Sequence, residues 1–480
     1  MRPFLSEGEF LQYQRDRRSH WNDVARRFKG SRRAASYYHR RLQEIFGFLI
    51  PPGQRVLEIG CGDGDLIASL EPEFGLGVDF SSEMVQRASR KHQRLAFIQA
   101  DAHSLPLNVS FDFVILSDLL NDVWDVQAVL EEVVRVSEAH TRVIITSHNR
   151  MWEPLLSVAD RLNLAKPNLR QNWLTVEDLD NLLHLAGMEL IHTWPEILWP
   201  LGTPLLAPFS NRFLSRFWPF THLALTHVLV ARTRTRKVDP AMDSISIVVP
   251  ARNEAGNIVP LLDRLPEFNQ PAEVIFVEGH SRDDTYSAIE DAIADETALK
   301  CKLIQQQGEG KGDAVREGFK QAEGDILVIL DADLSVPPED LPRFIEALTS
   351  GKAEFANGVR LVYPMQDEAM RFANLIGNKF FSLAFSWVLG QPVKDTLCGT
   401  KAIRREDYEK IAANREYFGK LDPFGDFDLL LGAAKRNLKI VDVPIRYRSR
   451  TYGSTNISRW RHGLLLFRML STAARKLKFV

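Results

Sequence analysis

Short apolar runs alternate with amphipathic stretches along two long segments of the chain. In the first segment, the apolar runs Val56–Ile59, Gly77–Phe80 and Phe111–Ser117 predict buried strands, and the stretches between them predict helices. Later runs near Met188–His192 and Leu225–Ala231 are candidates to complete the same sheet. Strands that alternate with helices favour a parallel sheet wound on both faces, so we expect an α/β fold.

The pattern is interrupted once and then restarts. Residues 236–243 are charged, contain proline and lack periodicity, so they are predicted to be a linker. We predict a first domain at residues 1–235, with a basic helical segment at 1–50 whose charges face solvent. A second doubly wound α/β domain is predicted at residues 244–456, and a basic amphipathic helix at 457–480.

Composition restricts the classes of protein that fit. The 480 residues include 45% hydrophobic and 25% charged side chains, and the formal net charge of −2 gives no general attraction to nucleic acid. Three distant cysteines argue against a disulfide scaffold or a thiolate zinc site. We find neither a secretory signal nor an apolar run of the roughly 18–20 residues that span a membrane. We therefore expect a cytoplasmic protein.

Polar groups follow three successive strands of the first predicted domain. The first strand contains Glu58 and runs into a turn with Gly60 and Gly62, while Asp79 and Asp101 follow the next two strands. Glycines let the backbone approach a ligand closely, and a carboxylate at the second strand end can bind both hydroxyls of a ribose. The constellation predicts a nucleoside site, with a nicotinamide cofactor as the competing ligand.

The motif Glu58-Ile-Gly-Cys-Gly-Asp-Gly, with Asp79 in Gly-Val-Asp-Phe-Ser, resembles the class I S-adenosylmethionine-dependent methyltransferases. The resemblance covers roughly residues 30–150 and implies a Rossmann-like fold with S-adenosylmethionine as cofactor. It implies that Gly60 and Gly62 approach the methionine part, that Asp79 binds ribose, and that Asp101 and Ala102 flank the adenine. Glu58 within the motif makes a nicotinamide enzyme the weaker interpretation.

The sequence leaves the methyl acceptor open. Methyl transfer needs alignment of the nucleophile with the methyl group, and sometimes a base. His148, after the fifth strand, is our catalytic candidate. Other candidates are Asp118 after the fourth strand, Asn149 after the fifth, and Tyr37, Tyr38 and His39 before the first.

The second domain places two carboxylates at one buried strand end. The apolar strand Ile326–Leu330 is followed by Asp331 and Asp333, and other strands end near Pro250 and Glu278. Close like charges repel, but a divalent cation removes that cost and supplies a bridge to a diphosphate. Such a cation can stabilise charge on a departing nucleoside diphosphate. The pattern therefore predicts a nucleotide-sugar and metal site.

Residues 244–456 resemble the family 2 glycosyltransferases of the GT-A fold, and most closely their dolichyl-phosphate mannose synthase-like branch. The matching motifs are Val-Pro-Ala-Arg-Asn-Glu, Asp-Ala-Asp-Leu-Ser-Val-Pro-Pro-Glu, Gly-Val-Arg, Asp-Thr-Leu-Cys-Gly and Arg-Thr-Tyr-Gly-Ser-Thr. The resemblance implies that a UDP- or GDP-linked donor is held by Pro250, Arg252, Glu254, Glu278 and Asp331. It implies that Asp333 ligates Mg²⁺ or Mn²⁺. It also implies that Arg360 faces the phosphate of the donor or the acceptor and that Arg450 closes over the diphosphate.

The second domain departs from the family pattern in places. The usual Asp-Asp-Gly-Ser motif is replaced by Glu278-Gly-His-Ser281, which weakens the inference about base and ribose contacts. Asp426 and Asp428 stand where many members carry an acceptor-side acid that serves as general base. A phosphomonoester acceptor, whose second pKa is about 6, needs no base, so these acids do not choose between a polyprenyl phosphate and a nascent glycan.

Three hypotheses follow. The first is a bifunctional enzyme of cell-envelope glycan or glycolipid synthesis; its basic helix at 457–480 either contacts the inner face of a membrane or packs on its own domain with its basic stripe in water. The second is an active glycosyltransferase whose first domain only binds S-adenosylmethionine or acts as a scaffold. The third, an assembly protein without activity, is disfavoured because an inactive site has no need of paired acids such as Asp331 and Asp333.

Overall fold

The computed structural model describes residues 7–27, 33–156, 169, 171–234, 243–295, 299–360, 362, 372–418, 425–448, 452 and 459–480. The predicted linker lies outside them except for Asp243. The chain divides into two compact units, Met1–Thr235 with Phe479–Val480, and Arg236–Lys478. Among the described residues, no helix has the length and apolarity needed to cross a bilayer.

The described residues of the first unit form a seven-stranded sheet. Its strands are β1 (Arg55–Ile59), β2 (Phe74–Asp79), β3 (Ala96–Gln99), β4 (Phe111–Ser117), β5 (Ser137–His148), β6 (Met188–Pro195) and β7 (Thr226–Thr233), in the order β3-β2-β1-β4-β5-β7-β6. The first five strands are parallel, and β7 runs antiparallel to both β5 and β6. The α/β prediction is confirmed, and the two late runs do complete the sheet.

Helices cover both faces of this sheet. They are α1 (Glu7–Arg27), α2 (Arg33–Leu49), α3 (Asp65–Ala68), α4 (Ser82–Lys91), α5 (Val126–Arg135), α6 (Val176–Leu185) and α7 (Leu206–Arg212). Polar side chains fix where some of them begin: Ser81 accepts a hydrogen bond from the backbone N–H of Met84, and Asp125 accepts one from Ala128. Separate apolar clusters lie on the two faces of the central strands. The strands are therefore buried on both sides, as parallel sheets usually are.

The second unit contains another seven-stranded sheet among its described residues. Its strands are β8 (Ile245–Ala251), β9 (Ala272–Glu278), β10 (Lys300–Gln305), β11 (Ile326–Ile329), β12 (Phe355–Val359), β13 (Lys401–Arg404) and β14 (Ile440–Pro444), in the order β10-β9-β8-β11-β13-β12-β14. Strands β8 to β11 are parallel, whereas β13 is antiparallel to β11 and β12.

The helices of the second unit again lie on both faces. They are α8 (Ile258–Asp263), α9 (Thr285–Asp295), α10 (Lys311–Gln321), α11 (Leu341–Thr349), α12 (Phe372–Leu389), α13 (Arg405–Ala413), α14 (Asp426–Lys435) and α15 (Arg459–Ala473), which a π-helical turn, Ala474–Lys478, continues. In each sheet the chain order reverses beside one central strand, β1 in the first and β8 in the second. Crevices at such switch points are the usual ligand sites of open α/β sheets.

Candidate functional sites

The turn after β1 is built from glycines that no other residue could replace without strain. Gly60, Gly62 and Gly64 have φ values of 78°, 51° and 74°. A Cβ on Gly60 would lie 2.9 Å from Cδ1 of Leu119, and one on Gly64 would lie 2.6 Å from the ring of Phe97. The turn therefore needs glycine both for its backbone conformation and for its close packing.

Two acids flank this turn and behave differently. Asp79, at the end of β2, accepts hydrogen bonds from the N–H of Gly62 at 2.9 Å and of Ser81 at 2.8 Å, and burial raises its pKa. Glu58 is buried and accepts a hydrogen bond from Ile67 N–H at 3.1 Å. Burial raises the pKa of Glu58 to about 8, so its side chain is largely neutral at pH 7 and supports the start of α3.

Asp101 stands at the end of β3 among hydrogen-bond donors. Its Oδ1 accepts from the backbone N–H and Nδ1 of His103, and its Oδ2 accepts from Nε2 of Gln14 at 2.5 Å. Burial acts to raise its pKa, but these hydrogen bonds lower the pKa below the usual value. Asp101 therefore carries its charge at the same sheet edge as Asp79. Ala102 is buried beside it.

Helix α1 lies across these strand ends. Three of its side chains contact Asp122: Tyr13 Oη donates to its carbonyl at 2.5 Å, Trp21 Nε1 donates to its carboxylate at 2.7 Å, and Arg17 forms an ion pair with it. The prediction of a solvated basic face is wrong for Arg17, which is buried. Its acidic partner lies 105 residues later, so sequence periodicity gives no sign of the pair.

Three of the candidate acceptor residues meet where β4 and β5 end. Tyr38 Oη donates to Asp118 Oδ2 at 2.8 Å and lies 3.3 Å from His148 Nε2. His148 Nε2 is 3.7 Å from Asp118 Oδ1. Tyr37 instead accepts a hydrogen bond from Asn211, and Asn149 donates to the carbonyls of two residues before β7. His39 is exposed beside the Tyr38 ring.

In the second unit, the loops after β8 and β9 hold each other in place. Asn253, with φ of 57°, donates its N–H to Ser281 Oγ and accepts the N–H of Arg282. Glu254 is buried; its N–H donates to Thr285 Oγ1 at 2.9 Å, and its carboxylate accepts from Asn257. Pro250, the residue before the last one of β8, is partly buried, and Arg252 is exposed.

Glu278 and Asp283 shape the loop after β9. Glu278 is buried and accepts a hydrogen bond from Ser281 N–H at 2.6 Å. Asp283, which the sequence analysis did not single out, accepts from Thr285 at 2.5 Å and from Tyr452 Oη at 3.4 Å. Burial acts to raise the pKa of Asp283, but the hydrogen bonds from Thr285 and from nearby backbone N–H groups lower it below the usual value. Arg450 lies outside the described residues, two positions before Tyr452.

A lysine in the basic, glycine-bearing turn that leads into α10, to which the sequence alone assigned no partner, pairs with the predicted donor-site acid. Lys311, the first residue of α10, places Nζ 2.5 Å from Asp331 Oδ1. A Cβ on Gly399 would overlap both Lys311 Nζ and Asp331 Oδ2. The glycine-bearing turn before α10 is closed by Asp313, whose carboxylate accepts the N–H of Gly308 at 3.0 Å. A helix N-terminus with a lysine at its first position is suited to binding an anion.

Asp333 is buried two residues beyond Asp331. Its Oδ1 accepts hydrogen bonds from the N–H and Oγ of Ser335, at 3.0 and 2.6 Å. Leu334 between them has φ of 56°, a conformation that costs a leucine roughly 1–3 kcal/mol. Within the described part of the chain, no group of three or more His, Cys, Asp or Glu residues could hold a metal by itself.

Arg360 is held by a buried carboxylate. Its Nε and Nη2 donate to the two oxygens of Asp395, at 2.7 and 2.9 Å, and its guanidinium lies 5.1 Å from the ring centre of Tyr447. Burial of the pair acts against both charges, but their mutual attraction raises the pKa of Arg360 and lowers that of Asp395. Asp395 thus fixes the orientation of the Arg360 side chain, for which the sequence predicts a phosphate contact.

The two acids of α14 are placed differently. Asp428 accepts a hydrogen bond from Nε of Arg415 at 2.6 Å. Asp426 is the first residue of the helix, and its side chain lies outside the described part. Gly425 before it has φ of 76°, and a Cβ there would lie 2.6 Å from Cα of Gly312 in α10. The start of α14 therefore adjoins the helix that carries Lys311.

Sequence comparison gives two domain matches. The glycosyl transferase family 2 model matches residues 246–412, and a methyltransferase domain model matches residues 50–187. Glycosyltransferase AglJ of Haloferax volcanii is 30% identical over 240 residues, which are 49% of this chain and 74% of that protein.

Two further relatives have names that specify a lipid phosphate. The chain is 28% identical over 242 residues to dolichol-phosphate mannosyltransferase of Pyrococcus furiosus, and 29% identical over 231 residues to undecaprenyl-phosphate 4-deoxy-4-formamido-L-arabinose transferase of Pseudomonas fluorescens. These alignments cover 49% and 47% of this chain and 64% of each relative, just under two thirds of their length.

Solved structures of both kinds are also similar. Magnesium protoporphyrin IX methyltransferase of Synechocystis aligns with 46% of this chain and 99% of its own, at 19% identity and a TM-score of 0.34. Glucosyl-3-phosphoglycerate synthase of Mycobacterium tuberculosis aligns with 49% of this chain and 80% of its own, at 19% identity and a TM-score of 0.37. Similarity at this level identifies no activity.

Proposed function

The chain belongs to the family 2 glycosyltransferases through its second unit and carries a methyltransferase domain in its first, and we propose that both are active in one bifunctional enzyme. The second unit transfers a sugar from a UDP- or GDP-linked donor to a polyprenyl phosphate or a nascent glycan. The first unit transfers a methyl group from S-adenosylmethionine. Both reactions serve the synthesis of a cell-envelope glycan or glycolipid.

The observation that carries the donor site is the Lys311–Asp331 pair at the switch point of the second sheet. Asp331 follows β11, Arg252 follows the adjacent parallel strand β8, and Glu278 ends β9, which pairs in parallel with β8, so all lie at one sheet edge. A nucleoside diphosphate would bring its negative charge to Lys311 and to the N–H groups that begin α10. Pro250, Glu254 and Glu278 would border the nucleoside.

Asp333 would hold a divalent cation together with the donor diphosphate. Mg²⁺ and Mn²⁺ sites of this kind use one or two carboxylates and complete their coordination with phosphate oxygens and water, so an all-protein cage is not required. Ser335 fixes one carboxylate oxygen of Asp333 through two hydrogen bonds, which orients the group. When bound, the cation would stabilise the negative charge on the departing nucleoside diphosphate. The proposed roles of Arg360 and Arg450 are contacts with the phosphates.

An acceptor phosphate fits this unit without a catalytic base, because it is largely ionised at pH 7. The names of two relatives support a polyprenyl phosphate. If the acceptor is a sugar hydroxyl, Asp426 is the better placed of the two α14 acids, since Asp428 is bound by Arg415.

A membrane surface is the proposed location of the second reaction, on the cytoplasmic side. Helices α12 and α15 contact each other through Phe381 and Phe467, and both expose apolar side chains, with Leu383 70% and Leu464 74% exposed. The exposed Arg468 follows Phe467 on α15, and neither helix contains an acid. An apolar surface with basic side chains complements an anionic bilayer.

The residues at the edge of the first sheet also fit S-adenosylmethionine. A Cβ on Gly62 would meet nothing within 4 Å, so the turn is open at that position, and Asp79 accepts the Gly62 N–H beside it. We propose that Gly60 and Gly62 adjoin the methionine part, Asp79 the ribose, and Asp101 with Ala102 the adenine. Glu58, neutral and buried, would support the site indirectly, by accepting the Ile67 N–H at the start of α3.

Sugar transfer by the full chain tests the proposal. UDP-glucose and GDP-mannose are incubated with undecaprenyl or dolichyl phosphate and Mn²⁺, and the lipid product is separated by chromatography. We expect transfer from one donor, its loss with EDTA, and a decrease of at least 100-fold in Lys311→Ala and Asp331→Asn. Glu346→Ala, an exposed acid of α11, should match the wild type. Activity of the two site variants within threefold of wild type would refute this donor site.

A further inference from the structure

The polar cluster of Tyr38, Asp118 and His148, hereafter the acceptor cluster, is assembled from α2 and the ends of β4 and β5. Asp118 is fixed from its other side, because Thr146 Oγ1 donates to its Oδ1 at 2.8 Å and accepts its N–H at 2.9 Å. Asp118 has φ of 54°, which costs a non-glycine residue roughly 1–3 kcal/mol. Such strain is typical of side chains that must point in a required direction.

The acceptor cluster borders the turn that would hold the methionine part of the cofactor. Leu119 follows Asp118, and its side chain occupies the space beside Gly60 so closely that a Cβ there would lie 2.9 Å away. The carboxyl ends of β4 and β1 are neighbours in the sheet. The cluster is therefore placed where a methyl acceptor would have to stand.

Tyr38 takes part in the acceptor cluster as a neutral hydrogen-bond donor. Burial and the neighbouring Asp118 carboxylate both raise the pKa of Tyr38 well above its usual value, so its hydroxyl stays protonated. Thr226 Oγ1, 3.2 Å from Tyr38 Oη, adds no charge. In the described residues around His148, Asp118 is the acid that faces Nε2, and Nδ1 has no hydrogen-bond partner.

We propose that the methyl acceptor is a hydroxyl group whose proton passes to His148, with Asp118 and Tyr38 as positioning residues. This inference rests on the methyl transfer proposed above and specifies its acceptor class. The acceptor oxygen forms a bond to the methyl carbon, the carbon–sulfur bond breaks, and its electron pair stays on sulfur. The hydroxyl proton goes to the imidazole of His148, and the resulting positive charge faces the Asp118 carboxylate.

The chemistry distinguishes a hydroxyl from other acceptors. An alcohol is a poor nucleophile until its proton is removed, and a positioned base accelerates such a step by about 10²–10⁴-fold. A carboxylate is already ionised at pH 7, so a histidine beside an acid would gain nothing there. A cluster that only stabilised the fold would have no reason to adjoin the glycine turn or to hold Asp118 in a strained conformation.

The first test measures proximity without needing the acceptor. Diethyl pyrocarbonate modifies accessible imidazoles, and mass spectrometry of the peptides gives the rate at His148 and, as control, at the exposed His140. Saturating S-adenosylhomocysteine should slow modification of His148 at least tenfold and leave His140 unchanged. Equal rates at His148 with and without the ligand, or no modification of His148 at all, would overturn the proposal. Failure of the wild type to bind S-adenosylhomocysteine would instead refute the proposed cofactor site.

The second test addresses the acceptor class. Membrane lipids from the organism that encodes the chain are supplied with methyl-tritiated S-adenosylmethionine, either untreated, selectively N-acetylated, or fully acetylated on nitrogen and oxygen. We expect label in the first two samples and none in the third. Labelling lost on N-acetylation alone, label retained after full acetylation, or no label in any sample would overturn the hydroxyl assignment.

Variants then separate the roles. His148→Ala should lose transfer by roughly 100-fold or more, keep its affinity for S-adenosylmethionine within threefold, and regain activity when imidazole is added to the buffer. Asp118→Asn and Tyr38→Phe should lower kcat with little change in KM for S-adenosylmethionine. A His148→Ala protein that keeps more than a third of wild-type transfer would contradict the proposal, as would a loss that imidazole does not relieve in a protein that still binds the cofactor.

Discussion

At Gly399 a hydrogen atom is all that the neighbouring ion pair leaves room for. The side-chain ends of Lys311 and Asp331 occupy the space where a Cβ would lie. Both are the far ends of flexible side chains, so a substitution there would displace the pair rather than unfold the sheet. Adding a single methyl group at Gly399 is therefore expected to affect ligand binding without affecting the stability of the fold.

Gly399→Ala should weaken nucleoside diphosphate binding at least tenfold because the displaced lysine no longer meets the phosphates, while the melting temperature changes by no more than a few degrees. Gly377→Ala in α12 is the matched control, since a Cβ there meets nothing within 4 Å. Binding is measured by calorimetry and melting by scanning calorimetry. Unchanged affinity in Gly399→Ala would show that the pair does not belong to the donor site.

Glu58 makes the stability of the first unit depend on pH. Its pKa is raised by burial from 4.5 to about 8, so the folded chain binds this proton more tightly than the unfolded chain does. The stabilisation is complete below pH 4.5 and is lost as the pH rises toward 8. A shift of this size corresponds to at most about 5 kcal/mol over the whole range.

We expect Glu58→Gln to remove that loss, because an amide keeps an acceptor for Ile67 N–H and has no charge to bury. The melting temperature of the first unit, followed from pH 5 to 9, should decline less steeply in Glu58→Gln than in the wild type. Glu73 is exposed, so the control Glu73→Gln should follow the wild-type profile. Identical slopes for wild type and Glu58→Gln would show that ionisation of Glu58 does not cause the loss of stability at high pH.

At the scale of elements, α14 shows how a helix separates two acids of one motif. Positions i and i+2 of a helix lie about 200° apart around its axis. Asp428 is committed to Arg415, whereas the start of the helix adjoins α10. We therefore propose that the acceptor-side role inferred from the family resemblance belongs to Asp426 rather than to Asp428.

Asp428→Asn should lower the stability of the second unit by about 1–3 kcal/mol, since it removes the charge opposite Arg415, and should leave sugar transfer within threefold of wild type. Asp426→Asn should have the reverse effect, with stability retained and transfer reduced at least tenfold for a hydroxyl acceptor. Denaturant unfolding and the lipid-product assay measure the two quantities. Equal losses of transfer in both variants would contradict the division of roles.

The exposed faces of α12 and α15 lead to a prediction about membrane binding. Burying a leucine in an apolar environment is worth about 1.5–3 kcal/mol. Leu383→Asp and Leu464→Asp should therefore each weaken sedimentation with vesicles of phosphatidylglycerol and phosphatidylcholine at least tenfold. Val259→Asp, an exposed apolar site on α8, is the control and should sediment like the wild type. Sedimentation unaffected by either leucine substitution would exclude these helices as the membrane contact.

The sequence predicts strands and their ends better than the partners of charged side chains. The prediction of a strand at Phe111–Ser117 matches β4, because a continuous apolar run leaves few alternatives. Lys311 and Arg17 were not identified as paired, since each meets an acid that the chain delivers from another element. Such pairs depend on which strand ends become neighbours in the fold. The periodicity of a single segment does not predict which segments become neighbours.

For the whole molecule, the two units share one arrangement at the sites proposed for two different ligands. Each places acids and a glycine-bearing turn outside the carboxyl ends of parallel strands, beside the strand where the chain order reverses. The parallel strands follow from the repeated strand–helix pattern. The antiparallel insertion of β13 does not, because a four-residue buried strand, Lys401–Arg404, has no pattern that sets its direction. That strand nonetheless begins two residues after Gly399, which borders the Lys311–Asp331 pair of the proposed donor site.

The central claim, a cation-dependent nucleotide-sugar site in the second unit, is tested most directly by calorimetric binding of UDP and GDP to the full chain, with and without Mn²⁺. We predict that one nucleotide binds, that binding requires the metal, and that Asp333→Ala reduces the affinity at least 100-fold while Glu346→Ala does not. Binding of neither nucleotide under any metal condition, or equal binding by Asp333→Ala, would contradict the account.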